Sequence, residues 1–261
     1  MTGDQAHRAA ALLLDHWCNA SRLAGLPDDL RPATRAEGYA IQSAAVPLQG
    51  STTFGWKIAA TSLAGQRHIN VDGPLAGRLF ADRVMPEGST IPLAGNAMRV
   101  AELEFAYRLA RDLPPRAAPY SRCEVMAAVG DLHPAIEIPD SRYRDFTIVA
   151  APQLIADQAC AHLFMLGPRV TADWRAHDLA VWPIAATVNG SARHEGIGSN
   201  ALGGPELALT WLANELSDHG IGLRAGDVVT TGTCVTPVAV GPGDALHADF
   251  GAFGAMSARF V

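Results

Sequence analysis

Two glutamates spaced two residues apart inside an apolar run are the first chemistry this chain offers. The stretch from Arg99 to Leu109 reads as a strand, and alternation sets Glu102 and Glu104 on one face with Ala101, Leu103, Phe105 and Tyr107 on the other. Two strand steps separate the two side chains by roughly 6.7 Å. A third acid, Glu137, sits in another short apolar run, Ala135-Ile136-Glu137-Ile138. Two carboxylates about 5 Å apart repel by roughly 3 kcal/mol at an effective dielectric near 20, so such a cluster needs protons, a cationic side chain or a divalent ion. Carboxylates without a His or Cys companion suit a hard ion, Mg²⁺ or Mn²⁺. The alternative at this point is an edge strand with Glu102 and Glu104 on its wet face, since spacing does not reveal whether the Glu137 strand lies alongside. Lys57 is the matching cation. It falls among Phe54, Trp56, Ile58 and Ala59, where it either meets a carboxylate or a bound anion or snorkels from a strand end.

The elements that position these residues are read in order. An amphipathic helix is expected over Gln5–Leu23, and a second from Thr34, capped with Glu37, to Pro47, together forming a small N-terminal helical cap (1–50). Strands follow at Thr53–Ala59 and Gly77–Val84, with a capped helical turn from Thr61 between them. Ser121 and Glu124 form a capping box for a helix to about Leu132, ahead of the Glu137 strand. Ala151–Ala159 reads as helical and Ala161–Leu166 as extended, and Asn189-Gly190 marks a hairpin turn. A glycine-rich loop around Ser199 and Asn200 leads to a helix from Pro205 to His219, with Leu209, Leu212 and Leu216 as its buried stripe. The last segments, 228–233, 245–250 and 255–261, read as strands. The pattern is α+β, in a single domain spanning 1–261.

Composition narrows the partners. The 261 residues are 49% hydrophobic and 18% charged, a globular balance, and 25 Gly with 17 Pro argue for turns over a helical bundle. A net charge of -6 gives no electrostatic reason for a nucleic acid or an anionic membrane as partner. The four scattered cysteines, Cys18, Cys123, Cys160 and Cys234, suggest buried reduced thiols rather than zinc or disulfides. The longest N-terminal apolar run, Ala9–Leu14, is too short for a signal peptide or a membrane span, so a cytoplasmic protein is expected.

The motifs, taken in order, resemble the 2-keto-4-pentenoate hydratase and 4-oxalocrotonate decarboxylase group of the fumarylacetoacetate hydrolase superfamily. Phe54-Gly55-Trp56-Lys57-Ile58, the Glu-x-Glu strand Val100–Phe105, the segment Pro134–Arg142, Ile155-Ala156-Asp157-Gln158 and the run from Gly226-Asp227 to Phe260-Val261 carry the resemblance along most of the chain. It implies a sheet-rich mixed β-roll, usually in a homo-oligomer, with Glu102, Glu104 and Glu137 as ligands of one Mg²⁺ or Mn²⁺. Lys57 corresponds to the active-site lysine, and Asp157 and Thr233 are further catalytic candidates. The implied substrate is a small 2-hydroxydienoate or its 2-oxo-enoate tautomer from aromatic-compound catabolism. The implied reaction is hydration to a 4-hydroxy-2-oxo acid, with decarboxylation of a 2-oxo acid as the alternative.

One departure stands out in Gly73-Pro74-Leu75-Ala76-Gly77, where several relatives carry an acid at the position of Leu75. Asp72 and His68 are the nearby residues that would have to replace it. Three rival readings are weaker. A paired-carboxylate glycosidase would take its acids from separate elements. A carbon–carbon hydrolase of the superfamily would need a His-Glu pair for which neither His7 nor His16 has a matching acid. A metal-binding scaffold would gain nothing from burying Lys57 among acids.

Overall fold

Local signals set most of the helix starts. The computed structural model describes residues 1–261, the side chain of Ala192 excepted. Thr2 caps α1 (Gly3–Cys18), Thr34 accepts from the Glu37 N–H to open α2 (Arg35–Ala45), and Ser62 caps the short α3 (Leu63–His68). The Ser121–Glu124 box opens α4 (Arg122–Ala128); α5 (Ala150–Ala156) and α6 (Pro205–Asp218) complete the set, and the Leu209, Leu212 and Leu216 stripe of α6 is buried. Strands β1 (Thr53–Ala59), β2 (Leu75–Phe80), β3 (Val84–Met85), β4 (Thr90–Ile91), β5 (Val100–Leu109), β6 (Val129–Ile138) and β7 (Leu163–Leu166) precede β8 (Pro183–Val188) and β9 (Ala192–Ile197). After these come β10 (Val228–Thr233), β11 (Val238–Ala239), β12 (Ala245–Asp249) and β13 (Ala255–Phe260).

Several expected boundaries shift. The first helix stops at Cys18, because Ala20 turns left-handed at φ 47°. The helix after Ser121 ends at Ala128, and Val129 to Leu132 join β6 through pairing with β5. The strand expected to reach Val84 stops at Phe80, where a single helical turn intervenes. Asn189 and Gly190, at φ 55° and 73°, make the hairpin turn between β8 and β9. Cys160 and Cys234 are buried, whereas Cys18 and Cys123 are exposed, which corrects the expectation of four buried thiols; each of the two exposed residues sits in a helix with polar neighbours.

Two sheets form the body. The larger is mixed, with strand order β2-β1-β10-β5-β6-β7-β3 and β11 paired to β5; the smaller runs β4-β13-β12-β8-β9. The core lies between them, where Phe105 of β5 meets Phe250 and Phe253 edge-on with ring centroids 5.5 and 6.2 Å apart. Strand β5 is therefore central, and the edge-strand alternative for Glu102 and Glu104 does not hold. The N-terminal helices reach the site indirectly. Gly38 of α2 lies so close to α5 that a Cβ would stand 2.6 Å from the Pro152 carbonyl, and Gln42 donates to Ala76 O and Ile155 O, tying α2 to β2 and α5. No helix among the described residues is long and apolar enough to cross a membrane.

Candidate metal and substrate site

Register gathers the acids. Strands β5 and β6 pair antiparallel with Glu102 opposite Glu137, and cross-strand partners share a face, so Glu102, Glu104 and Glu137 project together. One oxygen of each lies within 4.8 Å of the other two. Glu104 and Glu137 are fully sealed, while Glu102 opens onto a cavity of about 1070 Å³.

Each acid is held differently. Glu104 Oε2 accepts from the Thr230 hydroxyl and, at 2.7 Å, from the Gly232 N–H, donors supplied where β10 bulges between Thr230 and Thr233. Its other oxygen, Oε1, is buried without a hydrogen-bond partner, and so is Oε2 of Glu137. Lys57 Nζ stands 3.0 Å from Glu137 Oε1 and donates at 3.0 Å to the Ala159 carbonyl. Burial raises the pKa of all three acids; their mutual repulsion adds to this for Glu104, and Glu137 is pushed up to about 7 against the pull of Lys57. For Lys57 burial works against the ammonium, but Glu137, Glu102 and the neighbouring anions outweigh it and hold the amine charged. Orphaned carboxylate oxygens in a cluster of three acids at the cavity wall, with no His or Cys among them, fit a hard divalent cation.

The partner of Lys57 depends on an unusual turn. After α5, Gln158, Ala159 and Cys160 all adopt left-handed backbone, at φ 54°, 49° and 64°. Gly77, directly opposite Lys57 on β2, leaves room for this turn: a Cβ there would lie 1.9 Å from the Gln158 carbonyl oxygen. Arg142 clamps the turn, donating to Asp157 O at 2.6 Å and to Ala161 O at 3.1 Å. Its guanidinium also pairs with the Asp157 carboxylate and lies 3.9 Å from the Trp17 ring centroid of α1.

The candidates from sequence fall into two groups. Lys57, Glu102 and Thr233 line the cavity, with Glu104 and Glu137 directly behind; the Thr233 hydroxyl donates to Val235 O at 2.5 Å. Asp157 lies outside the cavity lining, and its carboxylate is taken up by Arg142 and by the Ser141 hydroxyl at 2.8 Å. Asp72 is spent on an exposed ion pair with Arg35 at 2.9 Å, and His68 stands exposed at the cavity wall. Leu75, fully buried, lines the cavity. Sequence reasoning passed over Thr230, Gly77, Arg142 and the Ala159 carbonyl. Arg142 lay within the Pro134–Arg142 segment, and Thr230 beside the chosen Thr233, but a backbone carbonyl has no residue-level signal.

Comparison with known proteins agrees with this geometry. The family profile described as fumarylacetoacetate (FAA) hydrolase, C-terminal, matches residues 66–261. The chain is 32% identical over 263 residues to a 2-keto-4-pentenoate hydratase of Paraburkholderia xenovorans, covering 100% of this chain and 96% of that one. It is 32% identical over 248 residues to a 2-hydroxyhexa-2,4-dienoate hydratase of Comamonas testosteroni, covering 93% and 92%. Among solved structures, 4-oxalocrotonate decarboxylase from Pseudomonas putida G7, complexed with magnesium and adipate, superposes with a TM-score of 0.89 at 26% identity over 100% of this chain and 99% of that one. The chain thus belongs to the fumarylacetoacetate hydrolase superfamily, within its group of 2-keto-4-pentenoate hydratases and 4-oxalocrotonate decarboxylases.

Proposed function

We propose that this protein is a divalent-metal-dependent hydro-lyase that adds water to a 2-hydroxy-2,4-dienoate to give a 4-hydroxy-2-oxo acid. The observation that carries the reading is the convergence of Glu102, Glu104 and Glu137 beside Lys57 at the wall of a large cavity, with two carboxylate oxygens buried and unpartnered. These three acids would hold Mg²⁺ or Mn²⁺. When bound, the ion supplies a Lewis acid that polarises the 2-oxo group and stabilises negative charge developing on its oxygen. Thr230 and the Gly232 N–H fix the Glu104 carboxylate through Oε2, which would leave Oε1 free for the ion. Lys57 pairs with the substrate carboxylate or delivers a proton to carbon, its position set by Glu137 and Ala159 O. Thr233 orients substrate at the cavity wall. Asp157 acts through Arg142 and the left-handed turn rather than on the substrate. For the five-carbon dienoate the atoms balance with one water: hydroxyl joins C4, protons join C3 and C5, and the enol proton leaves as the 2-oxo group forms.

Decarboxylation is the second reading, and Leu75 favours it. Among the residues lining the cavity, Glu102 is the sole carboxylate, so no separate acid stands ready to activate water. The test is the decay of the ultraviolet band of 2-hydroxypenta-2,4-dienoate with metal-stripped protein and then with Mg²⁺, products resolved. Metal-dependent 4-hydroxy-2-oxopentanoate supports the hydratase. Ketonisation without hydration, together with CO₂ release from 4-oxalocrotonate, replaces it with the decarboxylase.

A further inference from the structure

Lys57 and Glu102 account for one part of the cavity, and the remaining wall specifies the far end of the substrate. That wall includes Leu63, Ile69, Met98, Phe146, Leu154 and Leu202. Leu63 is 71% exposed although it faces the cavity, so its apolar surface has no cover within the chain. Among the lining residues Lys57 is the sole lysine or arginine, and its ammonium is already engaged by Glu137 and Ala159 O. The other ionisable groups on the wall are Glu102, the buried Cys160 and the exposed His68, whose ring stands edge-on to Phe146 at 6.0 Å. Neutral polar groups there are partly committed: Asn200 Nδ2 donates to Cys234 O at 2.8 Å, and the Thr233 hydroxyl to Val235 O. At about 1070 Å³ the cavity far exceeds a five-carbon acid.

Building on the dienoate reading above, we infer that the site takes 2-hydroxydienoates whose end remote from the C1 carboxylate is an uncharged apolar substituent, an alkyl or aryl chain lying against Leu63 and Phe146, and that it discriminates against a second carboxylate there. A carboxylate placed on this wall meets no lysine or arginine beyond the committed Lys57 to offset lost hydration, whereas each methylene buried against it strengthens binding by about fourfold.

The test uses a matched pair. 2-Hydroxy-7-methylocta-2,4-dienoate and 2-hydroxyhepta-2,4-dienedioate share one shape and differ in whether the branched terminus is two methyls or two carboxylate oxygens. With the Mg²⁺-loaded protein, kcat/KM for the branched monoacid is expected to exceed that for the diacid by at least about tenfold, and to exceed that for tail-free 2-hydroxypenta-2,4-dienoate. Leu63→Arg, at an exposed position that tolerates substitution, shifts the ratio toward the diacid. Metal-dependent turnover that is equal for the pair, or faster for the diacid, overturns the inference and leaves the hydro-lyase reading standing. Calorimetry with the non-reacting 7-methyl-2-oxooctanoate and 2-oxoheptanedioate provides a second readout. If no dienoate is consumed, the functional reading fails, and tighter binding of the oxo monoacid still supports the apolar tail site; equal binding, or none, overturns that as well.

Discussion

Metal affinity should depend on pH in a way the buried acids dictate. Glu137 moves from an ordinary 4.5 to about 7 because burial disfavours its charged form. At 1.36 kcal/mol per unit, ionising it in the folded, metal-free protein costs about 3 kcal/mol more than in the unfolded chain. The folded state therefore holds this proton more tightly. Its contribution is fully present below about pH 4.5 and is lost as pH rises through about 7, so the metal-free protein becomes less stable toward alkaline pH. A divalent cation reverses the sense, because it binds the ionised acids and displaces their protons. Between about pH 8 and about pH 6 the ionised fraction of Glu137 falls roughly tenfold, and the apparent Kd for Mg²⁺ should weaken by at least about tenfold, near 1.4 kcal/mol. Glu104, raised further by burial and by its neighbours' charges, adds to this. In thermal unfolding the Mg²⁺-induced rise in Tm should be about 3–5 °C smaller at the lower pH for a domain of this size. Calorimetric titration in buffers of different ionisation enthalpy counts the protons released. An Mg²⁺ Kd that stays constant across this range, with no proton release, would refute the reasoning, since it would mean that Lys57 alone keeps all three acids ionised.

Three further outcomes follow from the geometry. Lys57→Met should lower kcat by at least about a hundredfold at saturating Mg²⁺ and, near neutral pH, also weaken Mg²⁺ binding, because the ammonium that favours the ionised acids is gone; kinetics and calorimetry on the same samples separate the two effects. Arg142→Lys keeps the charge but cannot reach Asp157 and both turn carbonyls at once, so chemical denaturation should show a loss of about 3 kcal/mol. Gly77→Ala drives a Cβ into the Gln158 carbonyl and should reduce soluble yield and Tm sharply, whereas Gly3→Ala, in α1 with open space around it, should leave Tm unchanged or slightly higher.

What the sequence disclosed tracks the range of the forces involved. Alternation around Glu102 and Glu104, the caps at Thr34 and Ser121, and the Asn189-Gly190 turn are local, and each appears in the structure. The facing of Glu102 and Glu137 is a register, fixed by pairing along the whole of β5 and β6, and no local pattern encodes it. The edge-strand alternative stayed open for that reason. Asp157 was legible as an acid in a motif, but its ion pair with Arg142 was not, because the guanidinium arrives from another segment. Residue type alone suggests burial for Cys18 and Cys123, but helix geometry decides which side a thiol faces, and both face outward.

The left-handed turn is the sharpest case of the same rule. Three consecutive non-glycine residues in this conformation cost about 1–2 kcal/mol each, and nothing in Gln-Ala-Cys announces it. It persists because contacts from outside its own segment make every alternative worse. Arg142 ties the carbonyls on either side of it, the absent side chain of Gly77 gives it room, and the buried Lys57 ammonium draws in the Ala159 carbonyl as a neutral acceptor. A neutral acceptor matters there. A fourth carboxylate in place of that carbonyl would satisfy the ammonium but add to the repulsion among the three acids, whereas a carbonyl fixes the amine while leaving its charge to Glu137 and to an incoming substrate. The strain in the turn is thus bound to the electrostatics of the site, and a residue scan that looks for reactive side chains passes over it.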